Sequence, residues 1–111
     1  MAQTGPRLAT VTQMVIEWLT FAVPADEQDE WLDIEESIWT RFLETQPGFV
    51  RKEVWVEDNS PDLVHAVIWW ESLALWKQIT PEQVDAVDQR MGKAWRACTM
   101  RVYDVRRQSG Q

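Results

Sequence analysis

Cysteine, histidine and tyrosine each occur once in this 111-residue chain, as Cys98, His65 and Tyr103. A single cysteine rules out an intramolecular disulfide framework and points to a reducing, cytoplasmic setting. One histidine beside one cysteine leaves too few ligands for an all-protein zinc site, so no metal is expected. The four glycines form no phosphate-cradling loop and no nucleophile elbow. Apolar runs are short. Nothing approaches membrane-spanning length, and Met1 to Gln13 lack the apolar core of a signal peptide. Residues 1–13 are therefore expected to form a disordered tail, and residues 108–111 a loose polar one. Basic residues are scarce where acids gather. Between Pro24 and Thr45 eight acids face one base, Arg41, and this stretch holds the whole of the net charge of −7. Such a stretch reads as a solvated helix face, and without a basic footprint neither nucleic acid nor an anionic membrane is an expected partner.

Tryptophan, in contrast, is abundant. Eight indoles in a chain of this size bring much apolar area, and each N–H needs a partner when buried. They suit a core and a dimer interface, or the walls of a pocket for a flat ligand.

Pattern reading gives one domain over residues 14–107. A first strand runs from Met14 to Val23 and ends at Pro24, with Asp26 offered as helix N-cap. Trp31, Ile34, Ile38 and Phe42 follow at helical spacing, and Gln46-Pro47-Gly48 stops the helix. Phe49 to Glu57 and Leu63 to Glu71 flank the turn residues Asp58 to Asp62 and predict a hairpin. Ser72 can cap a short helix, and Thr80-Pro81-Glu82-Gln83 carries the capping-box signature of another. A last strand spans Thr99 to Arg106.

The order β-α-β-β-α-β predicts an α+β, ferredoxin-like fold with strand order 4-1-3-2, its four-stranded antiparallel sheet covered by two helices on one face. The other face should alternate apolar with polar. It does not. "VIEWLTF" (Val15 to Phe21) and "LVHAVIWWE" (Leu63 to Glu71) are apolar on both faces, so a second copy is expected to cover the sheet and make a homodimer. Glu17 is the exception within the first strand. Antiparallel pairing sets it close to Trp69 on one side and to the segment Tyr103 to Arg106 on the other, which suggests a rim carboxylate answering Arg106 or Tyr103.

"VIEWLTF", "QPGFVRKEVWVED", "AVIWWESLALWKQI" and Ser37-Ile38-Trp39-Thr40 together resemble the dimeric α+β barrel superfamily, and within it a small bacterial family. The superfamily includes the antibiotic-biosynthesis monooxygenase-like and stress-responsive A/B barrel proteins. The resemblance covers about Met14 to Arg106 and implies sheets dimerising into an α+β barrel. Heme-degrading members use an asparagine, a tryptophan and a histidine. Here Trp18 falls near the asparagine position, Ile79 near that of the tryptophan, and no histidine follows His65, so that triad is absent. Trp76 falls at a position that usually carries a core aromatic.

Few ionisable groups lie within the strands. His65, Tyr103 and Glu53 are the candidate catalytic residues, and Trp18, Trp39, Trp70 and Tyr103 the candidate ligand contacts. A Glu17–His65 dyad is disfavoured in one subunit, because the pairing separates the two by about 13 Å along the strands. Cys98 reads as a small inert residue. The expected activity is binding of a small apolar or aromatic molecule, with cofactor-independent monooxygenase chemistry and no cofactor. The alternative is a non-enzymatic, stress-related or ligand-binding dimeric module.

Overall fold

A computed structural model describes residues 13–110, and all but the last residue of the tail expected over residues 1–13 lies outside them. Four strands, β1 (Val15–Ala22), β2 (Phe49–Glu57), β3 (Ser60–Trp70) and β4 (Cys98–Asp104), pair antiparallel in the order β2-β3-β1-β4. This is the ferredoxin-like α+β arrangement. Between β1 and β2 come a 3-10 turn (Ala25–Glu27), α1 (Gln28–Glu35), a π-helical turn (Glu36–Thr40) and α2 (Arg41–Glu44). Between β3 and β4 come α3 (Leu73–Trp76), α4 (Pro81–Met91) and a 3-10 turn (Gly92–Ala94).

Register decides which side chains meet the helices. Glu17 stands opposite Ile68 of β3 and Val102 of β4, and Thr20 stands opposite His65. Odd positions of β1 therefore share a face with even positions of β3. That face packs on the helices, with Val15, Ile68, Trp70, Trp76 and Leu43 in one buried cluster and Val23, Val64, Trp31 and Met91 in another. The expected pairing of Glu17 with Trp69 is off by one residue. A slip of one exchanges the faces of a strand, so Glu17 and His65 lie on opposite sides of the sheet.

A bulge between Phe49 and Arg51 produces a second shift of face. Phe49 packs on Trp70 in the helix-side core, while Arg51, Glu53 and Trp55 turn to the open side. The hairpin turn is shorter than its composition suggests, since β3 starts at Ser60 and Asp62 lies within the strand. There the Asp62 carboxylate accepts the Ala25 N–H at 2.9 Å, capping the first helical segment from another element; Asp26 makes no cap. The Thr80–Gln83 capping box and the Ser72 cap form as their sequences imply.

Gly48 carries the chain from α2 to β2 with φ +87°, in the left-handed region that favours glycine. Its carbonyl accepts the Glu71 N–H at 2.8 Å, and a Cβ placed on it would stand 2.5 Å from the Leu75 Cβ. The loop closing the first helical segment is thus seated directly on α3.

The sheet face without helices is covered by aromatic rings. Trp18 sits at the centre, with ring centroids 5.2 Å from Trp55, 5.5 Å from His65 and 5.7 Å from Tyr103. The Arg51 guanidinium lies 3.9 Å over Trp69. Beneath these rings Val67 is fully buried although no helix covers it, yet Trp55 and Tyr103 remain about 40% exposed, at 39% and 42%.

Candidate active site

Between the helices and the sheet lies a cavity of about 570 Å³. Its sheet wall is built by Glu17, Leu19 and Phe21 of β1, Ile68 of β3, and Cys98 and Met100 of β4, all set inward by the same parity. Trp31, Trp39, Trp76 and Met91 face them from the helical side, and Trp95 stands half-exposed at the edge. Two of these indoles, Trp31 and Trp39, have their N–H groups engaged. Trp31 donates to the Ala94 carbonyl at 2.7 Å and Trp39 to Asp88 Oδ1 at 3.0 Å. Their ring faces are left for packing, which suits a flat apolar ligand.

Glu17 is the buried carboxylate of the sheet wall, 9% exposed. Trp70 Nε1 donates to its Oε1 at 3.1 Å, and Trp70 is itself fully buried and stacked on Trp76. Burial pushes the Glu17 carboxyl above its ordinary value of 4.5, against the Trp70 hydrogen bond and the positive charges of Lys77 and Lys52. This corrects the rim position expected for it. Arg106 lies beyond the end of β4, and Tyr103 stands opposite Ile16 on the other face. A buried carboxyl group with a raised pKa is suited to accept and return a proton.

Other polar groups at the cavity are mostly committed. Glu35 pairs with Lys52, and Lys52 also donates to Thr40 Oγ1 at 2.7 Å; both charged side chains are under a tenth exposed. Glu35 is thus an exception to the solvated acidic face read from the sequence. It lies at the end of α1 where the π-helical turn begins, and Thr40 closes that turn. Arg96 bonds the Ala22 carbonyl and Glu27. Partial burial and the nearby carboxylates of Asp88 and Glu17 raise the Cys98 thiol above its ordinary 9.0, which keeps it protonated rather than nucleophilic.

The candidates named from sequence divide between the two faces. Trp39 lines the cavity, and Trp70 supports Glu17 from behind. Trp18 and Tyr103 belong to the open face, as do His65 and Glu53. There His65 Nδ1 receives the Trp18 indole N–H at 3.1 Å and lies 2.9 Å from Thr20 Oγ1, while Glu53 accepts from Trp55 at 2.9 Å. These contacts place His65 and Glu53 in the aromatic layer, away from the cavity. Lys77 and Asp88 were not singled out from sequence, and Trp76 was read as packing alone. The signal for Trp76 and Lys77 was positional, since both follow the Ser72 cap, at the end of the short helix that packs on β3. Among the described residues no group of three or more His, Cys, Asp or Glu is arranged to hold a metal ion, and no helix is long and apolar enough to cross a membrane.

Residues 14–80, which include β1, both helices of the first segment, the hairpin and α3, match the antibiotic biosynthesis monooxygenase family. The chain belongs to that family. Solved structures share its fold at low identity. SnoaB of Streptomyces nogalater, described as a cofactor-independent oxygenase, superposes as a single-residue variant with TM-score 0.67 at 17% identity, over 88% of this chain and 98% of that one. A Shewanella loihica protein, proposed to be a monooxygenase, gives 0.64 at 21% identity over 88% and 99%. A conserved protein of Methanosarcina mazei gives 0.63 at 13% over 83% and 92%. No curated protein matches by sequence. As a member of the antibiotic biosynthesis monooxygenase family, the chain keeps the family's sheet and helices while placing a tryptophan-supported glutamate on the cavity wall.

Proposed function

We propose that this protein is a cofactor-independent monooxygenase acting on a small electron-rich aromatic molecule, and that it works as a homodimer joined through the open sheet face. The observation that carries the reading is Glu17, a buried carboxylate with a raised pKa in the wall of an aromatic cavity.

The chemistry needs a substrate whose ring system bears a CH₂ made acidic by a neighbouring ring carbonyl. Glu17 accepts one proton and leaves a delocalised carbanion. The carbanion passes an electron to dioxygen, and the resulting radical pair joins through a new C–O bond. Protonated Glu17 returns its proton to the peroxide. Loss of the second C–H proton with cleavage of the O–O bond gives a ketone and water, so one oxygen atom enters the product and the other leaves as water. Aromatic walls suit a delocalised anion better than a localised one and limit competing protonation by solvent.

Oxygen uptake with an anthrone-type tricyclic ketone tests the reading. Uptake should require the protein, rise with pH as Glu17 ionises, and fall roughly 10²–10⁴-fold in Glu17→Gln, the range for a positioned proton acceptor. Unchanged uptake in that variant would remove Glu17 from the mechanism. Binding without oxygen uptake would favour the alternative, a non-enzymatic ligand-binding module. The dimer rests on the Trp18, Trp55 and Tyr103 layer, whose half-exposed rings form an apolar surface of the kind that interfaces bury.

A further inference from the structure

Lys77 is the C-cap of α3 and lines the same cavity as Glu17. Among the described residues two cations border that cavity, Lys77 and Arg96. Arg96 is held by Glu27 and the Ala22 carbonyl. The Lys77 ammonium has no carboxylate partner among the described residues and instead rests 4.1 Å from the centroid of the Trp76 indole. The Trp76 ring in turn stacks on Trp70, with ring planes 9° apart, and Trp70 holds Glu17. A continuous support of two stacked indoles therefore sets one positive and one acidic group around the same space. Lys77 is close enough to Glu17 to oppose the effect of burial on its carboxyl. Cation–π contact restrains the ammonium while leaving its N–H donors free for an anion.

We propose that Lys77 is the specificity-determining contact of the cavity, and that the preferred ligand is an aromatic molecule carrying an anionic oxygen, a carboxylate or a phenolate, bound against the Lys77 ammonium. The inference deepens the oxygenase reading and rests on its cavity, but not on its redox chemistry. With an anionic group anchored at Lys77, the ring system extends into the cavity toward Trp39, and its reactive carbon comes to the Glu17 side. Asp88, whose carboxylate accepts the Trp39 indole N–H, also lines the cavity and repels a ligand that presents its anionic group there. One consequence concerns protons. An anion beside Glu17 is better tolerated when that carboxyl is protonated, so anion binding should draw a proton into the site.

Two probes of one shape separate the possibilities, naphthoate as the anion and naphthylmethanol as its neutral counterpart, titrated by quenching of the intrinsic tryptophan fluorescence. Lys77→Met should weaken naphthoate roughly tenfold and leave naphthylmethanol within about twofold, while Lys77→Arg restores most of the loss. Affinity of the wild type for naphthoate should fall with rising pH, and this slope should be absent in Glu17→Gln. Equal affinity of the wild type for both probes, or equal losses for both in Lys77→Met, would overturn the role of Lys77 while leaving the cavity and its oxygen uptake intact. Failure of the wild type to bind either probe would overturn the inference together with the ligand-binding part of the oxygenase reading. Oxygen uptake without selectivity for the anion would overturn only the inference.

Discussion

Trp70 and Glu17 are diagonal neighbours across β1 and β3, joined by an indole N–H to carboxylate hydrogen bond of 3.1 Å on the helix side of the sheet. The bond supplies the buried carboxylate with a donor without a compensating charge, so it steadies the ionised form and still leaves the proton affinity high. Trp70→Phe should remove that donor, raise the Glu17 pKa further and cost about 2–4 kcal/mol, from the lost bond and the space left in the core. Chemical denaturation and a carboxylate-resolved NMR titration would measure both; a pKa that does not rise would show that the bond gives no preference to the charged form.

Stability should depend on pH through Glu17. Its folded pKa lies above the ordinary 4.5, so between those values the native state holds a proton that the unfolded chain has lost. The contribution is complete below the unfolded pKa and is lost as pH rises through the folded one. Glu17→Gln removes that dependence, and its stability relative to the wild type should improve as pH rises. Thermal melts of both proteins over a pH series decide it, and parallel curves would exclude a raised pKa.

Lys52 and Glu35 form a buried ion pair that Thr40 completes from the π-helical turn. Removing one partner leaves the other charge buried, so Lys52→Met and Glu35→Leu should each cost about 3–5 kcal/mol. The double variant should cost much less than the two single losses together. A double-mutant cycle by urea unfolding checks this, and additive losses would mean that the two charges act independently.

Trp55→Glu places a charge on the exposed edge of the Trp18 layer without touching the helix-side core. Light scattering should find the wild type dimeric at micromolar concentration and the variant monomeric, with its far-UV circular dichroism retained. A monomeric wild type would refute the pairing of sheet faces.

Gly48→Ala should destabilise more than Gly92→Ala. Both glycines have positive φ, but an added Cβ meets the Leu75 Cβ at 2.5 Å at Gly48 and nothing within 4 Å at Gly92. Backbone conformation alone costs about 1–2 kcal/mol, and the clash adds to it only at Gly48. Comparable melting temperatures for the two variants would argue against the close approach.

Strand order and element type were legible because alternation, capping residues and Pro47-Gly48 are local signals. Ser72, Thr80 and Gln83 behave as their chemistry implies, and β2 spans Phe49–Glu57 as read. Side-chain direction was not legible to the same degree, because it depends on register between segments far apart in sequence. One residue separates the expected partner of Glu17, Trp69, from the observed one, Ile68, and that single step moves Glu17 from the rim to the cavity. The bulge that turns Phe49 inward leaves no mark in the composition of β2. Nor does the cap from Asp62 to Ala25, since its two residues belong to different elements.

The contact of Gly48 with Leu75 bears on how this protein could acquire new ligands. Because the loop after α2 abuts the helix bearing Trp76 and Lys77, a shift of either helical segment would disturb the other and the strand that begins at Phe49. Backbone rearrangement is therefore a costly route to new specificity. Exchange of single side chains at the exposed margin, at Trp95 or Met100, disturbs far less of the fold. Directed evolution of this scaffold should accumulate its productive changes there, with Gly48 left untouched.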